Sequence, residues 1–129
     1  MPSAVDFETI LLPLLKSDAG LSVLVDGRVF ALKMPPGTLL PCVTFQRISG
    51  MPANTLAGHS GLEEIDLQID VWARRYDEAK TVAKAVRAAI PPCGAIFGAH
   101  LIVDQDIYEE GTNYYRVNME YTVWFLETE

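Results

Sequence analysis

Residues 64–90, EIDLQIDVWARRYDEAKTVAKAVRAAI, place a β-strand immediately before an α-helix. Over residues 64–74, apolar and polar side chains alternate, which predicts a strand with one buried face and one strongly polar face. Over residues 76–90, apolar side chains recur every three or four positions, which predicts an amphipathic helix that Pro91 and Pro92 end. Because each element has a single apolar side, this stretch favours an α+β fold in which helices cover one face of a sheet.

The remaining chain supplies similar elements on both sides of this stretch. Ser3 and Asp18 are candidate N-caps for two helices, whereas Pro13 is expected to kink the first helix or end it early. Residues 111–113, Gly-Thr-Asn, are a turn signal that predicts a hairpin of the last two strands. Helices are predicted over residues 4–16 and 19–25, and strands over residues 28–32, 41–48, 100–110 and 115–125. The predicted fold is α+β, an antiparallel or mixed β-sheet packed against helices in the order ααββ(long loop)βαββ, within a single domain over residues 1–129.

Residues 49–61 separate two predicted strands and contain Gly, Pro, Asn, Ser and His without periodicity. Loops of this length in compact domains are usually functional or disordered. Ordering a flexible segment costs about 1–2 kcal/mol of entropy per residue, and Met51, Leu56 and Leu62 are few apolar anchors to offset that cost. We expect a loop that is mobile in the free subunit and becomes ordered against a partner.

Charge is distributed unevenly along the 129 residues, whose formal net charge is −7. From Asp104 onwards there are seven acidic residues and one basic residue, Arg116, whereas residues 1–103 are close to neutral. Because there is no basic stripe, direct DNA binding is disfavoured. No apolar run approaches the ~20 residues of a membrane span, and acidic residues precede the first apolar run, so we predict a cytoplasmic protein without a signal peptide. In that compartment the distant Cys42 and Cys93 are predicted to be two buried thiols rather than a disulfide.

The residues that could carry chemistry form no recognised catalytic or metal-binding pattern. His59 and His100 lack the spacing of a zinc site, and we favour solvent-exposed histidines over a catalytic base. Glu64, Asp66 and Asp70 line one strand face and could form a glycosidase pair or a cation site, but a solvated or subunit-facing strand is the commoner explanation. We therefore predict a protein that is not an enzyme and that has no cofactor or metal.

The second face of the last strand mixes polar and aromatic residues. Its members are Arg116, Asn118, Glu120, Thr122, Trp124 and Leu126. Exposing Trp124 and Leu126 to water is costly, and interfaces are enriched in aromatic residues and arginine. Either this face contacts another subunit or a helix of the same chain covers it, and Trp72 allows the same two interpretations.

Several segments form an ordered series along the chain. They are RVF at residues 28–30 after an Asp-Gly pair, PCVTFQRISG at 41–50, Gly61-Leu62 leading to LQIDVWA at 67–73, and the helix from YDEA to AKAVRAAI at 76–90. Their order and spacing resemble the tail-completion family of long-tailed bacteriophages and gene transfer agents, whose members are also called tail-terminator or head-to-tail joining proteins. The resemblance extends over roughly residues 8–126.

The resemblance implies a structural subunit that forms a hexameric ring on the end of the tail tube, stops tube growth and joins the tail to the head. The implied partners are further copies of the chain, the tail-tube protein and the head-connector or stopper protein, with no specific nucleic acid and no membrane. Assembly would take place in the host cytoplasm, and the protein would then reside in the virion tail. The family supplies no catalytic residues.

Two other classes of function remain open. One is another ring-forming virion component, such as a tail-tube or connector subunit, and the other is a small-molecule-binding or enzymatic module that uses the 49–61 loop. For a tail-completion subunit, the residues expected at the subunit or tail interface are Met51, Asn54, Leu56, His59, Trp72 and Trp124. The acids expected to face the channel, where negative charge would repel DNA phosphate, are Asp104, Asp106, Glu109 and Glu110.

Overall fold

The computed structural model describes residues 7–55, 58–90 and 97–126, which form three α-helices and five β-strands. The elements are α1 (Phe7–Ser17), α2 (Ala19–Val25), β1 (Val29–Ala31), β2 (Cys42–Thr55), β3 (Gly58–Ala73), α3 (Tyr76–Ala89), β4 (Phe97–Glu109) and β5 (Tyr114–Leu126). The α+β class and the order of helices and strands predicted from the sequence are confirmed.

The strands form one mixed sheet in the order β1-β2-β3-β5-β4. β1 runs parallel to β2, and the other neighbouring pairs are antiparallel. Across the three central strands, Val43 lies beside Val71, which in turn lies beside Val117. All three valines are buried, so their shared register defines the apolar face of the sheet.

The three helices pack on this apolar face, which we call the helix face. A single hydrophobic cluster joins Leu11 and Leu15 of α1, Leu21 and Val25 of α2, and Ala79, Val82, Ala83 and Val86 of α3 to the buried residues of the strands. The alternating residues of β3 form the centre of the cluster, at Ile65, Leu67, Ile69 and Val71. Burying one such aliphatic side chain stabilises the fold by about 1.5–3 kcal/mol.

Local signals at the helix ends are confirmed in part. The Asp18 carboxylate accepts a hydrogen bond of 3.0 Å from the Leu21 amide and caps α2, and α2 ends where Asp26 and Gly27 adopt positive φ angles of 52° and 76°. Pro13 was predicted to kink the first helix or end it early, and the second alternative is wrong, because α1 continues through Pro13 to Ser17. Pro13 lies on the exposed side of α1 while Leu11 and Leu15 are buried, so tertiary packing outweighs the missing amide donor. The predicted cap Ser3 lies outside the described residues.

The prediction of a long aperiodic loop at residues 49–61 is wrong. β2 extends to Thr55 and β3 begins at Gly58, and the two strands pair from Cys42 and Trp72 to Thr55 and Gly58. Register shifts after Arg47 and after Ala53 are the physical reason, because each bulge interrupts the alternation that reveals a strand in a sequence. Since this backbone is paired within the subunit, the expected ordering of a free loop against a partner loses its basis.

Candidate subunit interface

The sheet face opposite the helices, which we call the open face, is polar. Register places Cys42, Trp72 and Arg116 in one row across β2, β3 and β5, and Thr44, Asp70 and Asn118 in the next. Two further rows hold Gln46, Gln68 and Glu120, and then Ser49, Asp66 and Thr122. The described helices bury their apolar residues against the other face, so none of them covers the open face.

A buried carboxylate lies at the centre of the open face. Asp70 is only 6% exposed, and its Oδ1 accepts a hydrogen bond of 2.9 Å from Asn118 Nδ2. Its Oδ2 accepts a hydrogen bond of 2.7 Å from Gln68 Nε2, and Arg116 Nη1 lies 3.7 Å from Oδ1. A buried charge is tolerated where it is hydrogen-bonded and paired, and these three neighbours provide both kinds of compensation.

Trp72 belongs to the same polar network. Its indole Nε1 donates a 3.0 Å hydrogen bond to Thr44 Oγ1, and the Arg116 guanidinium lies 5.1 Å from the centre of its ring. The Arg116 Nε atom is buried and has no hydrogen-bond partner among the described residues, while a carboxylate oxygen of Glu109 lies 3.8 Å away. The Trp72 ring is therefore partly covered by its own chain, and it supports the open face as well as forming part of it.

Trp124 differs from Trp72 because 43% of its surface is exposed. It lies on the open face beside Glu64, in the row that ends at Gly98 of β4. Of the two alternatives that the sequence left open, cover by a helix of the same chain is not found among the described residues. An exposed tryptophan on a polar face is typical of an interface anchor.

The four acids predicted to face the channel lie in different environments. Asp104 and Asp106 are on the helix side of β4, where they form ion pairs of 3.2 Å with Arg87 and 3.0 Å with Lys80. Glu109 lies on the open face near Arg116, and Glu110 is exposed in the turn that follows β4. The structure therefore does not bring these acids together.

Asp106 is the most strongly bound of these acids. Its Oδ2 accepts a 2.7 Å hydrogen bond from the Tyr76 hydroxyl, and both oxygens accept from Lys80 Nζ. The Tyr76 hydrogen bond, followed by that of Lys80, lowers the pKa of the Asp106 carboxyl below its usual value. The same contacts raise the pKa of Lys80, so the pair is charged at neutral pH.

Three of the four remaining predicted interface residues lie in the β2–β3 hairpin. Met51 and Asn54 are in β2, and His59 is in β3, where its backbone pairs with that of Asn54. His59 is therefore in a strand rather than in a loop. Leu56 lies outside the described residues.

An aromatic cluster at one end of the sheet was missed by the sequence reasoning. Tyr115 lies between Tyr76 and Tyr108, with ring centres 6.0 Å and 5.0 Å apart, and Arg74 lies 5.8 Å from the ring centre of Tyr114. These are four of the five tyrosines in the chain. A signal was present, because Tyr108 and Tyr115 flank the predicted hairpin turn at nearly equal distances and therefore face each other across it.

The described residues offer no catalytic constellation. No group of three or more His, Cys, Asp or Glu side chains within them is placed to hold a metal ion. Cys42 is a free, buried thiol, and burial raises its pKa to about 11, which disfavours the nucleophilic thiolate; Cys93 lies outside the described residues. His100 is exposed at the start of β4. No helix in the described part of the chain is long and apolar enough to span a membrane.

A one-sided sheet with a polar and aromatic free face favours the class of structural assembly subunits. Residues 9–126 match the family model described as "Tail completion protein gp17". The chain therefore belongs to the tail completion protein gp17 family, as its sequence resemblance predicted. It is a structural tail component and is not an enzyme.

Solved structures support the same fold. A chain in the structure described as "Virion of native gene transfer agent (GTA) particle" superposes with a TM-score of 0.73 over 89% of this chain and 90% of that chain. The two sequences are 22% identical, so this likeness extends to the fold. A search of curated proteins found no match.

Proposed function

We propose that the protein forms a hexameric ring on the end of the tail tube, stops growth of the tube and joins the tail to the head connector or stopper. Family membership supports a role at the completion of the tail. The observation that carries the proposal is the open face, which has a built polar network and an exposed Trp124 and which no described helix covers. The subunit acts as a single domain that assembles in the host cytoplasm and ends in the virion tail.

The proposed ring also explains the acidic balance of the open face. Glu64, Asp66, Glu109 and Glu120 accompany Asp70 there, whereas Arg116 is the one basic residue that the described register rows place on it. If this face lines the channel, Glu109 is the predicted channel acid best placed to face passing DNA. A lumen with excess negative charge repels phosphate and lets a genome pass without binding. Asp104, Asp106 and Glu110 would add to the negative electrostatic potential of the channel without lining its wall.

Electron microscopy of the purified protein, alone and with tail tubes of its own particle, tests this function. We expect closed rings of uniform size, and a single ring at one end of each tube. Trp124→Ala should weaken binding to tube ends without unfolding the subunit. Val23→Ala is the matched control, because Val23 is 83% exposed on α2, on the helix side of the sheet.

Two outcomes count against the proposal. A protein that stays monomeric at millimolar concentration and does not bind tube ends is not a tail terminator. A protein that polymerises by itself into long tubes is a tube subunit, which is the rival assignment.

A further inference from the structure

The sheet has two unpaired outer edges in the part of the chain that the structure describes. β4 is 13 residues long and pairs on one side only, with β5. On the opposite side of the sheet, the short β1 covers β2 only at Val43–Phe45. Residues 46–55 of β2 therefore also have an open edge.

Long open edges are templates for strand pairing, and soluble monomers usually protect them. Here each edge instead exposes an isoleucine at a bulge. Ile48 is 48% exposed where β2 shifts register between Arg47 and Ser49, and Ile102 is 59% exposed where β4 shifts between Leu101 and Val103. Because both edges have an exposed isoleucine at a bulge, we interpret the two edges as the two sides of one contact, which we call the joint.

Strand direction fits a joint between the two edges. β2, β3, β5 and β4 alternate in direction, so β4 runs opposite to β2 of the same subunit. Rotation about a ring axis leaves strand direction unchanged along that axis, so β4 of one copy meets β2 of the next copy in antiparallel orientation. Such a contact uses two different surfaces, which is the heterologous type that closes into rings.

We propose that β4 of each subunit pairs with residues 46–55 of β2 in the neighbouring copy, so that one sheet continues around the ring. The partner is a second copy of this chain, and the inference rests on the proposed ring. With about 4.8 Å between strands, the four strands that continue through the contact, β2, β3, β5 and β4, span about 19 Å of circumference per subunit. Six copies then close a barrel roughly 37 Å across, and strand tilt widens it further.

The two bulges restrict the register of this pairing. Residues directly opposite each other must share a face, and a slip by one residue reverses every face. On β2 the helix face holds Arg47 before the bulge and Gly50 after it, while on β4 it holds Leu101 before the bulge and Asp104 after it. The faces match on both sides of the irregularity only when the two bulges are offset by one residue, because Ile48 directly opposite Ile102 would set Arg47 of the helix face against Val103 of the open face.

Of the two alignments that meet this condition, we choose the one that places Leu101 opposite Gly50 and Asp104 opposite Arg47 of the next copy. The second pair brings opposite charges together on the helix side, where Asp104 already accepts from Arg87 at 3.2 Å. On the open face, the same register places Gln105 opposite Gln46. The open face of each sheet then faces the ring interior, because the helix layer needs the larger radius.

Disulfide cross-linking of a double variant, Gln46→Cys with Gln105→Cys, tests the joint. Under mild oxidation we expect a ladder of covalent oligomers that ends at the ring size and that collapses to monomer in reductant. Each single variant should remain monomeric on a non-reducing gel, because the two positions meet only between different edges. Gln46→Cys with Asp104→Cys is the register control, since these residues lie on opposite faces, and it should cross-link at least tenfold less.

Each outcome separates this inference from the proposed ring. Rings in the microscope without a ladder in the double variant overturn the edge pairing and leave the ring intact. Dimers of Gln105→Cys alone show β4 pairing with β4, which also overturns it. Absence of both rings and ladder refutes the proposed function itself, whereas rings with the expected ladder support both.

Discussion

Removal of the Asp70 carboxylate tests how the open face is held together. Asp70→Ala deletes the acceptor of the hydrogen bonds from Asn118 Nδ2, at 2.9 Å, and from Gln68 Nε2, at 2.7 Å. Asn118 is buried, so its amide loses a partner without gaining water. Arg116 also loses a compensating carboxylate 3.7 Å away.

These losses are unequal. A buried donor left unsatisfied costs about 1–3 kcal/mol, and this applies to Asn118. Gln68 is only partly buried and can turn towards water, and Arg116 keeps Glu109 as a neighbour at 3.8 Å, so both add less. We expect the free energy of unfolding to fall by about 2–3 kcal/mol, which lowers Tm by roughly 6–12 °C for a chain of this length.

Urea unfolding followed by circular dichroism and tryptophan fluorescence measures this loss. Asp66→Ala is the matched control, because Asp66 lies on the same strand and the same face but is exposed, and its substitution should lower the free energy of unfolding by clearly less than Asp70→Ala does. Asp70→Asn keeps the shape and one acceptor and should fall between the two. Equal effects of Asp70→Ala and Asp66→Ala would refute the reasoning, since they would mean that water replaces the carboxylate at no cost.

Three further predictions concern pH, thiol reactivity and DNA. Because the pKa of the Asp106 carboxyl is lowered in the fold, its contribution to stability is present above the unfolded pKa of about 3.9 and is lost as pH falls through the folded pKa. The Tm difference between wild type and Asp106→Asn should therefore be larger at pH 7 than at pH 3. An unchanged difference would contradict the contacts assigned to Asp106. With the Cys42 pKa raised to about 11, roughly one Cys42 thiol in a thousand is ionised at pH 8. A Cys93→Ser variant, in which Cys42 is the remaining thiol, should therefore react with a thiol reagent only after unfolding. Rapid labelling of this variant in its native state would show an accessible thiolate. Duplex DNA should bind weakly at physiological salt in a mobility-shift assay, and tight, salt-sensitive binding would disprove an acidic lumen.

The parts of the fold that the sequence predicts correctly are those with uninterrupted periodicity. Residues 65–71 alternate without a break and form the centre of β3, and the three- and four-residue steps of 76–89 form α3. Bulges defeat this kind of reading, because one inserted residue changes the parity of all that follow. The second half of β2 was therefore not predicted as a strand, because the bulge between Arg47 and Ser49 changes the alternation there. The first half of β3, which pairs with it, was not predicted either.

The candidate interface is less predictable for a different reason. A sequence gives the sign of the charge on a side chain but not the residue with which it pairs. Asp106, for example, pairs with Lys80 of α3, which lies 26 residues earlier in the chain. Predicting Asp104 and Asp106 as channel acids used their sign alone, whereas the structure has both in ion pairs on the helix side. Trp72 and Trp124 were grouped together on composition, but only the register of β5 shows that Arg116 covers one of them and leaves the other exposed.

The polar network of the open face has a physical role in an assembly subunit. A polar sheet face gains little stability from the burial of apolar side chains. The strands of such a face must therefore be held together by other contacts. Here the hydrogen bond from Asn118 to Asp70 links β5 to β3, Gln68 of β3 fixes the same carboxylate, and Trp72 joins β3 to β2 through Thr44. These contacts hold β2, β3 and β5 in one register without relying on a covering layer. In the proposed ring, such a rigid sheet keeps its two open edges at a fixed spacing, which is the condition for every copy to meet the next at the same angle and for the ring to close.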